Sequence, residues 1–394
     1  MAQNISFPEA VSFRDNPIVV GFQTFTSNKL FLKAVLEAKI SVMDSNGHAR
    51  FEREEKYSIP LELISNEKVS FDLSPLAGII EAGYEKDPNS FLGFILKERV
   101  FLDIKAYEEY LLDGIIIKNP NPNEGSSFPE SNQAKSRHVI SGGLTDYERT
   151  SYFFNTSNTL KDLIGNCKIL SRKPSGELFH PDSIITVPAV ANSDTPVSAF
   201  IMVDRKTMYG EESKNLEPYR CFLFRRSVAD ILSQHPEAKT LYISIGGKNT
   251  PLGYIGRKKG KAYHFSFKNG FGMLESITCY SQEKLTAEME TTESFTISRR
   301  SLVGVSESIT KKGKITSSYL LSTGIINKDW CEWFVSEFFA SDEHYLFIKG
   351  NWVPVSVIPD DKITLYDENK PAPISIDFTV KPRFNGFIND KFIQ

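Results

Sequence analysis

The sequence predicts a mainly β protein, a multi-domain chain of antiparallel, β-sandwich-like domains with a few short helices. Three observations carry that expectation. Apolar residues recur at every second position in segment after segment, the period that places them on one face of a strand. Tight-turn chemistry separates those segments at short intervals. Helical spacing is scarce and becomes a clear stripe only near the C-terminus. At 394 residues and roughly 100–200 residues per domain, the chain holds two to four domains.

The elements follow in order. Ala34, Leu36, Ala38, Ile40 and Val42 alternate along a first long strand. Asp44-Ser45-Asn46-Gly47 supplies a turn, and residues 51–61 resume in extended style. Residues 69–71 read as a short strand, after which Asp72 or Ser74 caps a helical turn through Leu76, Ile79 and Ile80. Residues 91–105 and 111–117 read as two further strands and close an N-terminal β-sandwich-like domain over residues 1–118. Residues 119–137 begin Asn119-Pro120-Asn121-Pro122. Their few apolar groups and X-Pro restrictions make them a linker or exposed loop.

A mixed β domain is expected over residues 138–250. It holds a brief helix at 159–163, strands at 184–190, 199–203, 219–224 and 241–245, and a helix at 227–234 that Pro236 closes. The C-terminal β-rich domain, 251–394, is the most legible. Tyr263, Phe265 and Phe267 alternate before Asn269-Gly270, residues 274–280 continue beyond it, and the Thr- and Glu-rich residues 286–298 read as a strand with one solvated face. Trp330, Phe334 and Phe338 repeat every four residues beside Cys331 and Val335, an apolar stripe on one helix at about 328–340. Residues 345–349, Gly350-Asn351 and residues 352–355 carry a hairpin signal. Ile374, Ile376, Phe378 and Val380 then alternate with Ser375, Asp377, Thr379 and Lys381.

Composition narrows the function classes. Forty-six Lys and Arg against 49 Asp and Glu leave a net charge of −3. That gives no general field for DNA, RNA or an anionic membrane, so no nucleic-acid partner is expected. The longest apolar run, residues 91–96, is far short of the ~18–20 residues that span a bilayer, and no membrane insertion is expected. The opening Met1-Ala2-Gln3-Asn4 shows no basic stretch followed by an apolar one, so no signal peptide is expected. Cys167, Cys221, Cys279 and Cys331 lie over 50 residues apart, with no CxxC and no His at ligand spacing. A zinc site is therefore not expected, and four buried, reduced thiols are.

Two stretches, residues 244–250 and 253–261, combine Gly with Lys. A phosphate loop needs GxxxxGK[ST], so that successive N–H groups wrap the phosphates. Tyr242 and Ile255 stand where the leading Gly belongs, and Ala262 stands where the second stretch needs a hydroxyl. No cofactor is expected. Arg257, Lys258, Lys259 and Lys261 form a basic cluster, read either as a charged hairpin tip that keeps an edge soluble or as a surface for an acidic partner. The six histidines make no HxH or HExxH and no GxSxG elbow is present, so no enzyme is expected. Most of the 29 Phe, 15 Tyr and 3 Trp sit at alternating or helical apolar positions and read as core. Trp352, beside the Gly350-Asn351 turn, is the aromatic singled out for an interaction surface. Asn269, Gly270 and Gly272 read as a structural turn.

The stretch from His264 to Ile277, centred on Asn269-Gly270-Phe271-Gly272, is similar to an aromatic–Asn–x–x–Gly strand-turn-strand signature. Thr323-Gly324, the apolar helix from Trp330, a hairpin bearing Pro354-Val355 and a closing alternating strand follow in order. Asn16-Pro17-Ile18, Val69-Ser70-Phe71 and Ser141-Gly142-Gly143 precede it. In this order the chain resembles tail-associated (tail tip or baseplate) structural proteins of phages and prophages of Bacteroidetes. Phe271-Gly272 is more open than that family's pattern, and the loop at 119–135 has no counterpart in it. The resemblance implies a virion structural protein, a tail-tip, baseplate or fibre-attachment adaptor that acts by assembly and brings no catalytic residue. It implies a homo-oligomer made and assembled in the host cytoplasm, with other tail and virion proteins as partners. A receptor- or glycan-binding module of the virion, with a host-surface glycan as partner, is the alternative. A β-rich glycan hydrolase is the second.

Overall fold

The computed structural model describes residues 5–8, 11–23, 29–61, 68–85, 92–119, 134–144, 167–191, 196–256, 262–289, 292–296, 307–311, 315–348, 350–359 and 375–383. It is mainly β, with several antiparallel sheets and few short helices. The alternation at 34–42 builds the centre of the N-terminal sandwich. Leu30–Met43 pairs with Ala49–Pro60 on one side and Arg99–Leu112 on the other. The buried alternating residues face a three-stranded sheet of Ile5–Ser6, Val19–Gln23 and Lys68–Asp72. The Asp44 carboxylate closes the first hairpin by accepting the N–H groups of Asn46 (2.8 Å) and His48 (2.9 Å). The expected Asp72 or Ser74 cap is corrected: the Ser74–Gly78 helix is capped at Leu73 without a side-chain cap bond, and Asp72 accepts the Ser74 N–H at 2.9 Å ahead of it.

Three further expectations are corrected in this region. Residues 91–105 are two strands, Gly93–Leu96 and Arg99–Leu112. The first leaves the N-terminal sandwich altogether and pairs with Cys221–Ser227. Lys97-Glu98 carries none of the Gly, Pro or Asn chemistry that announces a break, so the pattern conceals the change of sheet. Residues 111–117 are interrupted by Asp113-Gly114, with φ of 49° and 78°, the two-residue turn that joins Arg99–Leu112 to Ile115–Asn119. The stretch assigned to the linker ends earlier than expected. Ala134–Ile140 is a strand of the N-terminal sheet, between Val11–Phe13 and Arg99–Leu112. The loop residues 120–133 and the helix expected at 159–163 lie outside the described residues.

The middle sandwich stacks Cys167–Ile169, Ile184–Ala191, Cys221–Ser227 and Gly93–Leu96 on a sheet of Leu178–Phe179, Gly253–Ile255, Thr240–Ile245, Pro196–Val203 and Thr207–Asn215. Phe222, Phe224, Val197, Ile201 and Ile243 fill the space between. Gly253–Ile255 belongs to this sheet, so the boundary expected at 250/251 falls beyond it. Ser227 caps the Val228–Gln234 helix, which buries Val228 and Ile231.

The C-terminal strands close into a ring: Ala262–Lys268, Leu274–Met289, Ile315–Ser322, Asp377–Pro382, Asn351–Pro359, His344–Ile348 and back to the first. Alternation looks the same in an open sandwich and a closed barrel, because closure depends on which distant strands pair. The Thr- and Glu-rich stretch divides between Leu274–Met289 and Thr292–Thr296. In the later hairpin Ile348 pairs with Asn351, so Asn351 is a strand residue rather than part of the turn. The expected amphipathic helix is Lys328–Trp333, prolonged by a π-turn at Phe334–Phe338. It places the Phe338 ring 5.4, 5.3 and 5.9 Å from those of Phe265, Phe267 and Phe378.

A fourth core joins these bodies. Val11, Phe13 and Ile140 of the N-terminal sandwich, Ile95, Val190 and Leu223 of the middle one, and Phe271, Met273 and Leu274 of the barrel pack together as one buried cluster.

Candidate functional site

Two turns interlock at that fourth core. The Asn269 amide is buried and used at both ends. Its Oδ1 accepts the N–H groups of Phe271 and Met273 (both 3.1 Å), and its Nδ2 donates to Leu170 O (2.8 Å) and Glu275 (3.1 Å). Only an amide offers donors and an acceptor on one short stem. Opposite it, Gly142 adopts φ 83°, where a Cβ would run into the backbone of Gly270 and Phe271. The Gly143 N–H donates to Gly270 O at 2.9 Å. Gly272, at φ 67°, meets Ser141 equally closely. The Gly270 N–H donates to Glu337 of the barrel helix at 2.7 Å. Glu337 also pairs with Arg172 at 2.6 Å, and Arg172 lies over the Phe271 ring at 4.1 Å. Asn269, Gly270 and Gly272 thus hold the bodies together.

Glu275 lies buried beneath this turn, bonded to Asn269 and Ser171. Burial outweighs those bonds and pushes its carboxyl up to about 7, with Lys173 opposing. The folded chain therefore keeps a proton that the unfolded chain, with a carboxyl near 4.5, releases. Between those values the unfolded state binds fewer protons, so stability falls as pH rises through the window. Glu275→Gln is expected to flatten that fall and to stabilise the chain by about 2–3 kcal/mol near pH 8. Urea titrations on either side of the window check it; an unchanged pH slope in the variant counts against it.

Beside the turns lies a cavity of about 250 Å³ with walls from all three bodies. The Lys97 ammonium, buried at the strand crossover, donates to Gly272 O at 2.6 Å and faces the Tyr84 ring at 5.5 Å. Among the described residues no carboxylate forms an ion pair with it, and burial pushes it down to about 8. Arg225 is also buried, with its Nε on Thr186 (3.1 Å) and its guanidinium 5.7 Å from the Trp352 ring centroid. Lys268 binds both carboxylates of the cavity, Glu81 and Glu343. Its hydrogen bond holds Glu81 below its ordinary range, the reverse of what a general acid requires.

Trp352 is thus corrected as an exposed aromatic. It is 7% exposed and walls this cavity, because the second residue of Asn351–Pro359 faces inward. Arg257, Lys258, Lys259 and Lys261 lie outside the described residues.

The exposed apolar surface is elsewhere, at one end of the N-terminal sheet. Leu30 stands opposite Leu111, and Leu111 opposite Ile116, so the three form one cross-strand row. Phe31 (73% exposed), Leu112 and Ile115 (64%) surround it. The opposite edge strand, Ala49–Pro60, instead carries Arg50, Glu52, Arg53, Glu54, Glu55 and Lys56, the charged guard that keeps an edge from pairing. No sequence signal separates the two edges except the Asp113-Gly114 turn, which marks residues 111–116 as a hairpin tip and leaves its isoleucines without a core to enter.

Among the described residues no three His, Cys, Asp or Glu side chains are placed to hold a metal ion, and no helix is long and apolar enough to cross a membrane. All four cysteines are free and buried. No family model and no curated protein sequence matches the chain. Among solved structures, the calcium-binding domain CBD12 of CALX1.1 is similar over 61% of this chain and 78% of that one, at 12% identity and a TM-score of 0.16. A likeness at that score carries no argument.

Proposed function

We propose that the chain is a structural component of a larger assembly, the tail tip or baseplate of a phage, where it works as an adaptor by protein–protein contact. The observation that carries this reading is the apolar end of the N-terminal sheet. A row of Leu and Ile in water, on a sheet whose other edge is guarded by charge, is the pattern of a surface that is covered in use. The interlocked turns support it further, because an adaptor must transmit position between partners and three bodies sharing one core do so rigidly. The order of motifs resembling tail-associated proteins favours a phage tail as that assembly.

Light scattering on the purified chain tests the reading. Defined multimers are expected, and the Ile115→Lys, Ile116→Glu double variant is expected to dissociate them while its melting temperature stays within about 2 °C, since surface substitutions away from the core cost little. A chain that is monomeric at every attainable concentration, and that joins no complex when mixed with phage tail-tip or baseplate proteins, speaks against it.

A further inference from the structure

The junction cavity is independent of the apolar end, and its chemistry centres on one amine. Lys97 stands between Gly93–Leu96 and Arg99–Leu112, is 4% exposed, and lines the cavity. Among the described residues its Nζ meets the Gly272 carbonyl, to which it donates at 2.6 Å, and the face of the Tyr84 ring at 5.5 Å. Neither carries a charge. The two carboxylates of the cavity, Glu81 and Glu343, are both held by Lys268. A buried amine without a counter-ion favours its uncharged form, because water no longer solvates the ammonium. Burial accordingly brings Lys97 down to about 8; the Cys221 thiol and Glu81 oppose the fall, and Lys268 and Arg14 add to it. An uncharged lysine has a lone pair to give to carbon. The rest of the wall includes Tyr84, Tyr345 and Trp352, which suits a flat apolar body. The volume of about 250 Å³ is below the roughly 300–1,000 Å³ of sites that take drug-sized ligands, so the occupant is small.

We propose that Lys97 is a nucleophilic amine and that the junction cavity captures a small aromatic aldehyde on it as an imine. The lone pair of the uncharged amine attacks the carbonyl carbon. Both amine hydrogens leave with the carbonyl oxygen as water, and a C=N bond replaces the C=O bond. The step needs no oxidant or reductant, and addition of one water reverses it. The aromatic wall holds the ring of the aldehyde beside the amine, and enclosure limits the water that would hydrolyse the product. Exposed lysines, at about 10.4, keep only about one amine in 250 uncharged at pH 8, whereas Lys97, at about 8, keeps about half.

Reductive trapping on the folded full chain tests this. Benzaldehyde is the probe at pH 8, sodium cyanoborohydride fixes the imine as a secondary amine, and peptide mass mapping locates it. The α-amino group of the purified chain, at about 7.7–8.0, is an amine of similar basicity outside the cavity and serves as the reference. Benzaldehyde is expected on Lys97 at least about tenfold ahead of every other lysine, in line with the difference in free amine. That lead is expected to vanish in urea, where Lys97 is an ordinary exposed amine. Excess benzyl alcohol, the same ring without a carbonyl, is expected to slow labelling of Lys97 and to leave the α-amino group unaffected. Four results each overturn the proposal: Lys97 unlabelled in the folded chain, Lys97 labelled no faster than the other lysines, a lead that survives in urea, or labelling of Lys97 indifferent to benzyl alcohol. Every comparison is made on the native sequence, so none depends on a variant that folds.

Discussion

Gly142→Ala is expected to destabilise the chain by about 3–5 kcal/mol, although it adds one methyl group. Two costs combine. At φ 83° an L-residue occupies the left-handed region, worth about 1–2 kcal/mol. The added Cβ also meets the backbone of Gly270 and Phe271, which no rotamer change relieves, so a turn of the barrel must retreat from the sandwiches. That movement would lengthen the Gly143–Gly270 hydrogen bond and open the packing of Phe271 in the shared core. Gly114→Ala is the control: its φ is 78°, but a Cβ there has nothing within 4 Å. It should cost only the backbone part. Urea unfolding of the two variants separates strain from collision, and equal losses would show that the turns do not interlock as described.

Phe338→Ala is expected to cost about 3–5 kcal/mol, the range for deleting a fully buried aromatic ring. The ring sits where the helix meets the barrel, against Phe265, Phe267 and Phe378 as well as Phe334 and Phe339. The π-turn, closed by the Phe339 N–H on Phe334 O at 2.7 Å, turns both Phe338 and Phe339 toward Phe378. Removing one leaves a void that the other cannot fill without unwinding that turn. Phe338→Leu keeps most of the volume and should lose less than about 1.5 kcal/mol. Near-ultraviolet circular dichroism would report the aromatic cluster directly. A loss under about 1 kcal/mol for Phe338→Ala, no more than a typical point substitution, would mean the helix contributes little to the barrel.

Local pattern was legible where local forces decide. Alternation marked the strand through Leu36 and Ile40, Asp44 and Gly47 marked its turn, and the Trp330–Phe334–Phe338 spacing marked the helix. Each rests on a period or a dihedral that the residue itself sets. Pairing over long sequence distances was not legible. Nothing in Phe94-Ile95-Leu96 says that its partner is Phe222 rather than a neighbour in the N-terminal sheet, and nothing in the C-terminal strands says that His344–Ile348 closes on Ala262–Lys268. The candidate site divides in the same way. Asn269 and the Gly-Gly turn at 142–143 were visible one at a time, but their contact was not. Lys97 was not singled out at all, because its burial depends on two other bodies.

The crossover of Gly93–Leu96 also constrains the order of events as the chain is made. That strand emerges during synthesis well before Cys221–Ser227, the partner it pairs with. In the interval the N-terminal sandwich carries an apolar segment with no sheet to receive it, exposed to chaperones and to neighbouring nascent chains. A contact that closes so long a loop is slow to form. The N-terminal and middle bodies are therefore one inheritance unit: separating them, by recombination or truncation, leaves the middle sandwich without an edge strand and the N-terminal half with a strand that has no sheet.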